Sequence, residues 1–79
     1  MKIDLSVELT KDGIIEIHGN NSGLKYLIKN IQKIIKNKNN HVHLLTINYG
    51  GELMDELYGI NNKKINHIKI FNWCNNKNN

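Results

Sequence analysis

Residues 22–37 read SGLKYLIKNIQKIIKN, and the spacing of their apolar side chains decides the fold. With Leu24 at zero and about 100° per residue, Leu24, Leu27, Ile28, Ile31, Ile34 and Ile35 fill an arc of about 120°. Lys25, Lys29, Lys33 and Lys36 fill a separate arc of about 80°. That is one amphipathic helix, with an apolar side to bury and a cationic side to leave in water. Gly19-Asn20-Asn21-Ser22 before it breaks a strand and supplies capping side chains. Asn37-Lys38-Asn39-Asn40 after it is a polar loop, and lysines in the last turn suit the helix dipole.

Upstream of the helix the period changes to two. Ile3, Leu5, Val7 and Leu9 alternate with Lys2, Asp4, Ser6 and Glu8, the pattern of a half-buried strand. Asp12-Gly13 is a turn dipeptide, and Ile14 to His18 resumes as a second strand with Ile15 and Ile17 expected inward. Downstream, His41 to Ile47 reads as a third strand. Tyr49-Gly50-Gly51 interrupts it, and Glu52 to Tyr58 suits either a short helical turn or an irregular loop. Asn61-Asn62-Lys63-Lys64 reads as a turn, and Ile65 to Phe71 as the last strand with Ile68 and Ile70 on one face. The expected architecture is α/β (α+β), a single ββαββ domain over residues 1–74. One helix packs on a four-stranded mixed sheet, with the second and third strands as parallel neighbours. Residues 75–79, all asparagine and lysine, are expected to be a disordered tail.

A chain of 79 residues is one domain and must build its core from nearly every large apolar residue it has. Cys74 is the single cysteine, so no internal disulfide forms, and a reducing cytoplasm is the expected compartment. The alternating N-terminus is unlike a secretory signal, and no apolar run is long enough to span a bilayer. All eleven cationic side chains are lysine. With abundant asparagine and isoleucine and no proline, this is the bias of an AT-rich genome, which weakens any functional reading of the +4 net charge. The lack of arginine argues against bidentate phosphate or base readout. The charge is patchy, with residues 21–40 summing to +5 and residues 41–60 to −3.

Candidate chemistry is sparse. His41-Val42-His43 would put two imidazoles on one side of a strand, about 6–7 Å apart, and His18, His67 and Cys74 are further possible ligands. No spacing among them specifies a metal site, and the expectation is no metal and no cofactor. Ser6 and Ser22 fall on a strand and a helix cap, and Cys74 beside a polar tail, so no nucleophile is held against a base. Glu52, Asp55 and Glu56 form an acidic loop cluster suited to meeting a basic partner. Gly19 to Gly23 lies where phosphate loops occur but lacks their fingerprint. The chain is therefore not expected to be an enzyme.

The run Ile15-Glu16-Ile17-His18-Gly19-Asn20, then Gly23-Leu24 and Tyr26-Leu27, is similar to the core of the Immunity protein 32 family. His41-Val42-His43-Leu44 and Gly51-Glu52-Leu53 resemble its later segments, and the likeness spans roughly residues 2–70. The resemblance implies an antidote that binds and neutralises a cognate bacterial toxin inside the producing cell. It transfers no functional residue, because the matching positions have plain structural roles. Two departures stand out: the Met54–Asn62 segment is longer than in the family, and the chain is basic where antidotes to nucleases tend to be acidic. From the residues themselves, the expected partner surface is Tyr49, Glu52, Asp55, Glu56 and Tyr58, where aromatic anchors meet acidic charge. The alternative is a small basic nucleic-acid-binding module that uses the helix lysines. A metal-dependent enzyme or zinc-stabilised domain on His41 and His43 comes third.

Overall fold

Five short strands and one helix follow in the order β1 (Leu5–Leu9), β2 (Ile15–Gly19), α1 (Asn21–Lys36), β3 (His41–Leu45), β4 (Lys63–Lys64) and β5 (His67–Phe71). This is a computed structural model in which residues 2–36 and 41–73 are described. The 37–40 loop, Cys74 and the 75–79 tail lie outside the described residues. A single 3-10 turn, Ile47–Tyr49, follows β3. The first hairpin forms as its alternation demands, with Val7 opposite Ile17 and Glu8 opposite Glu16. Its turn is closed by the Thr10 N–H donating to the Ile14 carbonyl at 2.9 Å.

The expected single four-stranded mixed sheet does not form. The domain is α+β with two antiparallel sheets, β2-β1-β4 and β3-β5, and β2 and β3 do not pair. Other segments take the second edge of β1. At one end Lys63 and Lys64, expected to be a turn, pair with Leu9 and Glu8 as β4. At the other end the Met54 N–H donates to the Leu5 carbonyl at 2.7 Å. β1 therefore has no edge left for β3, and β3 does not take the open outer edge of β2 either. It pairs fully with β5, from His41 opposite Phe71 to Leu45 opposite His67. On its other side the Leu53 N–H donates to the Leu45 carbonyl at 2.9 Å, next to a parallel bridge between Thr46 and Leu53.

The helix is capped as its sequence suggests, the Asn20 side-chain oxygen accepting the Gly23 N–H at 2.7 Å. Its buried face, however, is turned from the expected arc. Gly23, Asn30 and Ile34 are buried and Tyr26, Leu27 and Ile31 partly so, while Leu24, Ile28 and Ile35 are exposed. Gly23 sets this orientation. A Cβ there would lie 1.8 Å from the Asp4 carbonyl oxygen, so the helix comes closest where it has no side chain. Asn30 tolerates burial because its amide donates to the Tyr26 carbonyl at 2.8 Å. The core is Leu5, Leu44 and Leu53, with Ile3, Tyr26, Leu27, Ile68 and Ile70 packed against it. Ile15 and Ile17, expected inward, are 55% and 51% exposed. They share a face with Leu9 and Val7 but stand on the edge strand of the sheet, which has no strand on its outer side.

Candidate functional site

Glu8 alternates onto the polar side of β1, yet it is fully buried. The segment between the 3-10 turn and β4 folds over it. One carboxylate oxygen accepts the Ser6 hydroxyl at 2.5 Å and the Tyr58 N–H at 2.8 Å. The other accepts the Gly59 N–H at 3.1 Å and the Asn62 amide at 2.8 Å. Burial pushes the carboxyl's pKa up, but these four donors outweigh it and hold the value down to about 2. One buried anion thus pins a surface loop to the sheet.

That loop is the segment expected to meet a partner. Tyr49 is 62% exposed and Tyr58 50%, and Glu52 and Glu56 are exposed beside them. Leu57 and Ile60 extend the same segment, Ile60 being 89% exposed. Leu53 points the other way, into the core. Asp55 is exposed beside Glu56 and already carries an ion pair. It is paired with the Lys64 ammonium, which also donates to the Asp55 backbone carbonyl at 3.0 Å. The hydrogen bond from Lys64 lowers the Asp55 pKa against a smaller opposing effect of burial, with the Lys64 charge and an Asn48 hydrogen bond adding to the lowering. Tyr58 stacks on the His18 ring at 5.0 Å, and His18 contacts Glu16 at 3.0 Å. His18 and Glu16 therefore belong to this surface, although they lie some 40 residues away in sequence. The sequence held no signal for it beyond the hairpin register, which sets them beside Ser6 and Glu8.

Glu8, Glu16 and His18 each offer one ligand atom, all within 4.8 Å of one another. The group does not suit a cation, because the four donors on Glu8 occupy the acceptor positions a metal would need. The histidines on β3 and β5 form a second cluster. His41 Nε2 lies 3.1 Å from His43 Nε2, and His43 Nδ1 lies 2.8 Å from His67 Nε2. His43 turns its two nitrogens to two different neighbours, so the three imidazoles form a chain and do not converge on one point. Burial lowers the His43 pKa, and the charges of His41, His67 and Lys69 lower it further.

The same sheet face continues as a row of rings. His41 lies 5.3 Å from Phe71, and Phe71 stacks on Trp73 at 5.6 Å. The Lys69 ammonium sits 6.0 Å from the Phe71 ring centre. This row was not legible in the sequence, since it exists only once β3 and β5 pair in this register. No helix among the described residues is long and apolar enough to cross a membrane. No protein family, curated protein or solved structure matches the chain.

Proposed function

We propose that this chain neutralises a cognate bacterial toxin by stoichiometric binding, using the 49–60 loop as its contact surface. The observation that carries the reading is the loop's combination of exposure and fixity. Tyr49, Leu57, Tyr58 and Ile60 are exposed apolar or aromatic anchors with Glu52 and Glu56 among them. The backbone beneath them is held by Glu8, so little ordering entropy is lost on binding. Aromatic anchors within a charged surround are the usual energetic centre of a protein interface. The class of partner is what the resemblance of residues 15–27, 41–44 and 51–53 to the Immunity protein 32 family implies, and that resemblance contributes no contact residue.

The test is co-expression with the protein encoded immediately upstream, reading growth protection and co-purification. Glu52→Lys combined with Glu56→Lys should weaken neutralisation at least ~tenfold, or about 1.4 kcal/mol, with the melting temperature nearly unchanged. Asp55 is left out of the reversal because it anchors Lys64. Full protection by that double variant, with loss of protection on Lys25→Glu and Lys29→Glu, would move the interface to the helix.

A second reading, a small nucleic-acid-binding module, is favoured by the ring row and not by the helix lysines. Exposed Phe71 and Trp73 beside Lys69 are the parts of a stacking platform for single-stranded bases. Binding to an oligonucleotide that falls with salt and is lost on Phe71→Ala with Trp73→Ala would establish it.

A further inference from the structure

We propose that the outer edge of β2 is a dimer interface whose occupant is β2 of a second copy of this chain. β2 is the edge of its sheet, and among the described residues no backbone bond reaches its outer side. The register shows which groups wait there. Thr10 N–H bonds to the Ile14 carbonyl and Asn20 N–H to the Asp4 carbonyl, so the even-numbered residues of β2 face β1. Ile15, Ile17 and Gly19 therefore turn their N–H and C=O groups outward. Edge strands are usually blunted by lysine, proline or a bulge. This one, IEIHG, has no lysine or proline and keeps an unbroken ladder to β1. It also carries two half-exposed isoleucines.

Charge selects the register of the pairing. Outward groups must meet outward groups, so Ile17 can face residue 15, 17 or 19 of the second copy. Ile17 facing residue 15 sets Glu16 against Glu16, and facing residue 19 sets His18 against His18. Ile17 facing Ile17 sets Glu16 against His18 twice, and it alone avoids like groups across the interface. In that register each Ile15 faces a Gly19. Gly19 presents no side chain there, and the Asp4 carbonyl oxygen, Leu5 Cδ1 and Leu24 Cδ2 lie 2.9, 3.2 and 3.4 Å from where a Cβ would be. Ile15 of one copy then covers Leu24 of the other, and the two Ile17 side chains cover each other. The pairing is isologous and closes on itself. It engages Glu16 and His18, which border Tyr58, and its test by self-association and cross-linking is read without any toxin.

The experiment is sedimentation of the full chain over a concentration series, with circular dichroism as the fold control. The wild type should reach a dimer, and Ile17→Lys should raise the dissociation constant at least ~tenfold. Ile17→Cys, in a Cys74→Ser background, should cross-link to itself on mild oxidation, because facing Cα atoms of a hydrogen-bonded pair lie about 5.5 Å apart. Ile60→Cys in the same background, exposed but off the paired edge, should not. A wild type that stays monomeric at the highest concentration would overturn the proposal. So would equal cross-linking at positions 17 and 60, a result that does not depend on Ile17→Lys folding.

Discussion

Glu8 reads in the sequence as one of four polar residues alternating out of a strand, and burial gives it a second task. Its four donors include two backbone N–H groups, Tyr58 and Gly59, which have no other acceptor among the described contacts. Glu8→Ala orphans them, at about 1–3 kcal/mol for each buried donor left unpaired. The same carboxyl should set the acid limit of the fold. Its pKa falls from 4.5 to about 2 on folding, so its contribution is complete above pH 4.5. As pH drops from there toward 2, the unfolded chain takes up the proton first and stability declines. Glu8→Gln should reduce the slope in urea melts across the window, leaving the part that Asp55 contributes. His43 gives a smaller effect of the same sign. With its pKa lowered, the unfolded chain protonates first as pH falls below the ordinary histidine value, so acid weakens the β3–β5 pair. An NMR titration should find His43 protonating below the ordinary histidine value.

At the scale of elements, the helix was legible in kind, length and cap, and its orientation was not. Hydrophobic periodicity locates an apolar arc but cannot weigh it against a single close approach. Here Gly23 on Asp4 turns the helix until Asn30 is buried and Ile28 is exposed. Ile34, 3% exposed, is accordingly the side chain whose loss should open a cavity. Ile34→Ala should cost about 2–5 kcal/mol. Ile28→Ala and Lys29→Ala, on exposed positions, should each change stability by less than ~0.5 kcal/mol in denaturant melts. The strands tell the same story. The alternation of residues 2–9 and the β-branched run at 14–18 gave a correct hairpin. Inwardness failed for Ile15 and Ile17, because alternation gives a face and not the neighbour that covers it. Of the candidate partner surface, the exposed Tyr49, Glu52, Glu56 and Tyr58 could be read from composition. The Asp55–Lys64 pair and the His18 stack depend on tertiary pairing with no local signature.

The whole molecule is two small antiparallel sheets bridged by the helix, which packs on both β2 and β3, and by residues 51–54. Leu53 accepts the Ile47 N–H at 3.0 Å and donates to the Leu45 carbonyl at 2.9 Å, tying it to the β3 side. Its neighbour Met54 donates to Leu5 on β1. The Leu53 side chain, 1% exposed, sits between Leu5 and Leu44, one from each sheet. Gly51 makes this crossing possible, since a Cβ there would lie 2.1 Å from the Leu45 carbonyl oxygen, a backbone atom with nowhere to move. Leu53→Ala should therefore cost about 2–5 kcal/mol by cavity formation while leaving the backbone bonds in place. Gly51→Ala should do something different in kind, forcing the 51–54 segment off β3. Hydrogen exchange distinguishes the two. In Leu53→Ala, protection should fall evenly across β1 and β3. In Gly51→Ala the Leu53 and Ile47 amides should lose protection first, with the β1–β2 hairpin retaining more of its own. Equal and uniform loss in both variants would mean that the sheets are held together elsewhere, by the helix alone.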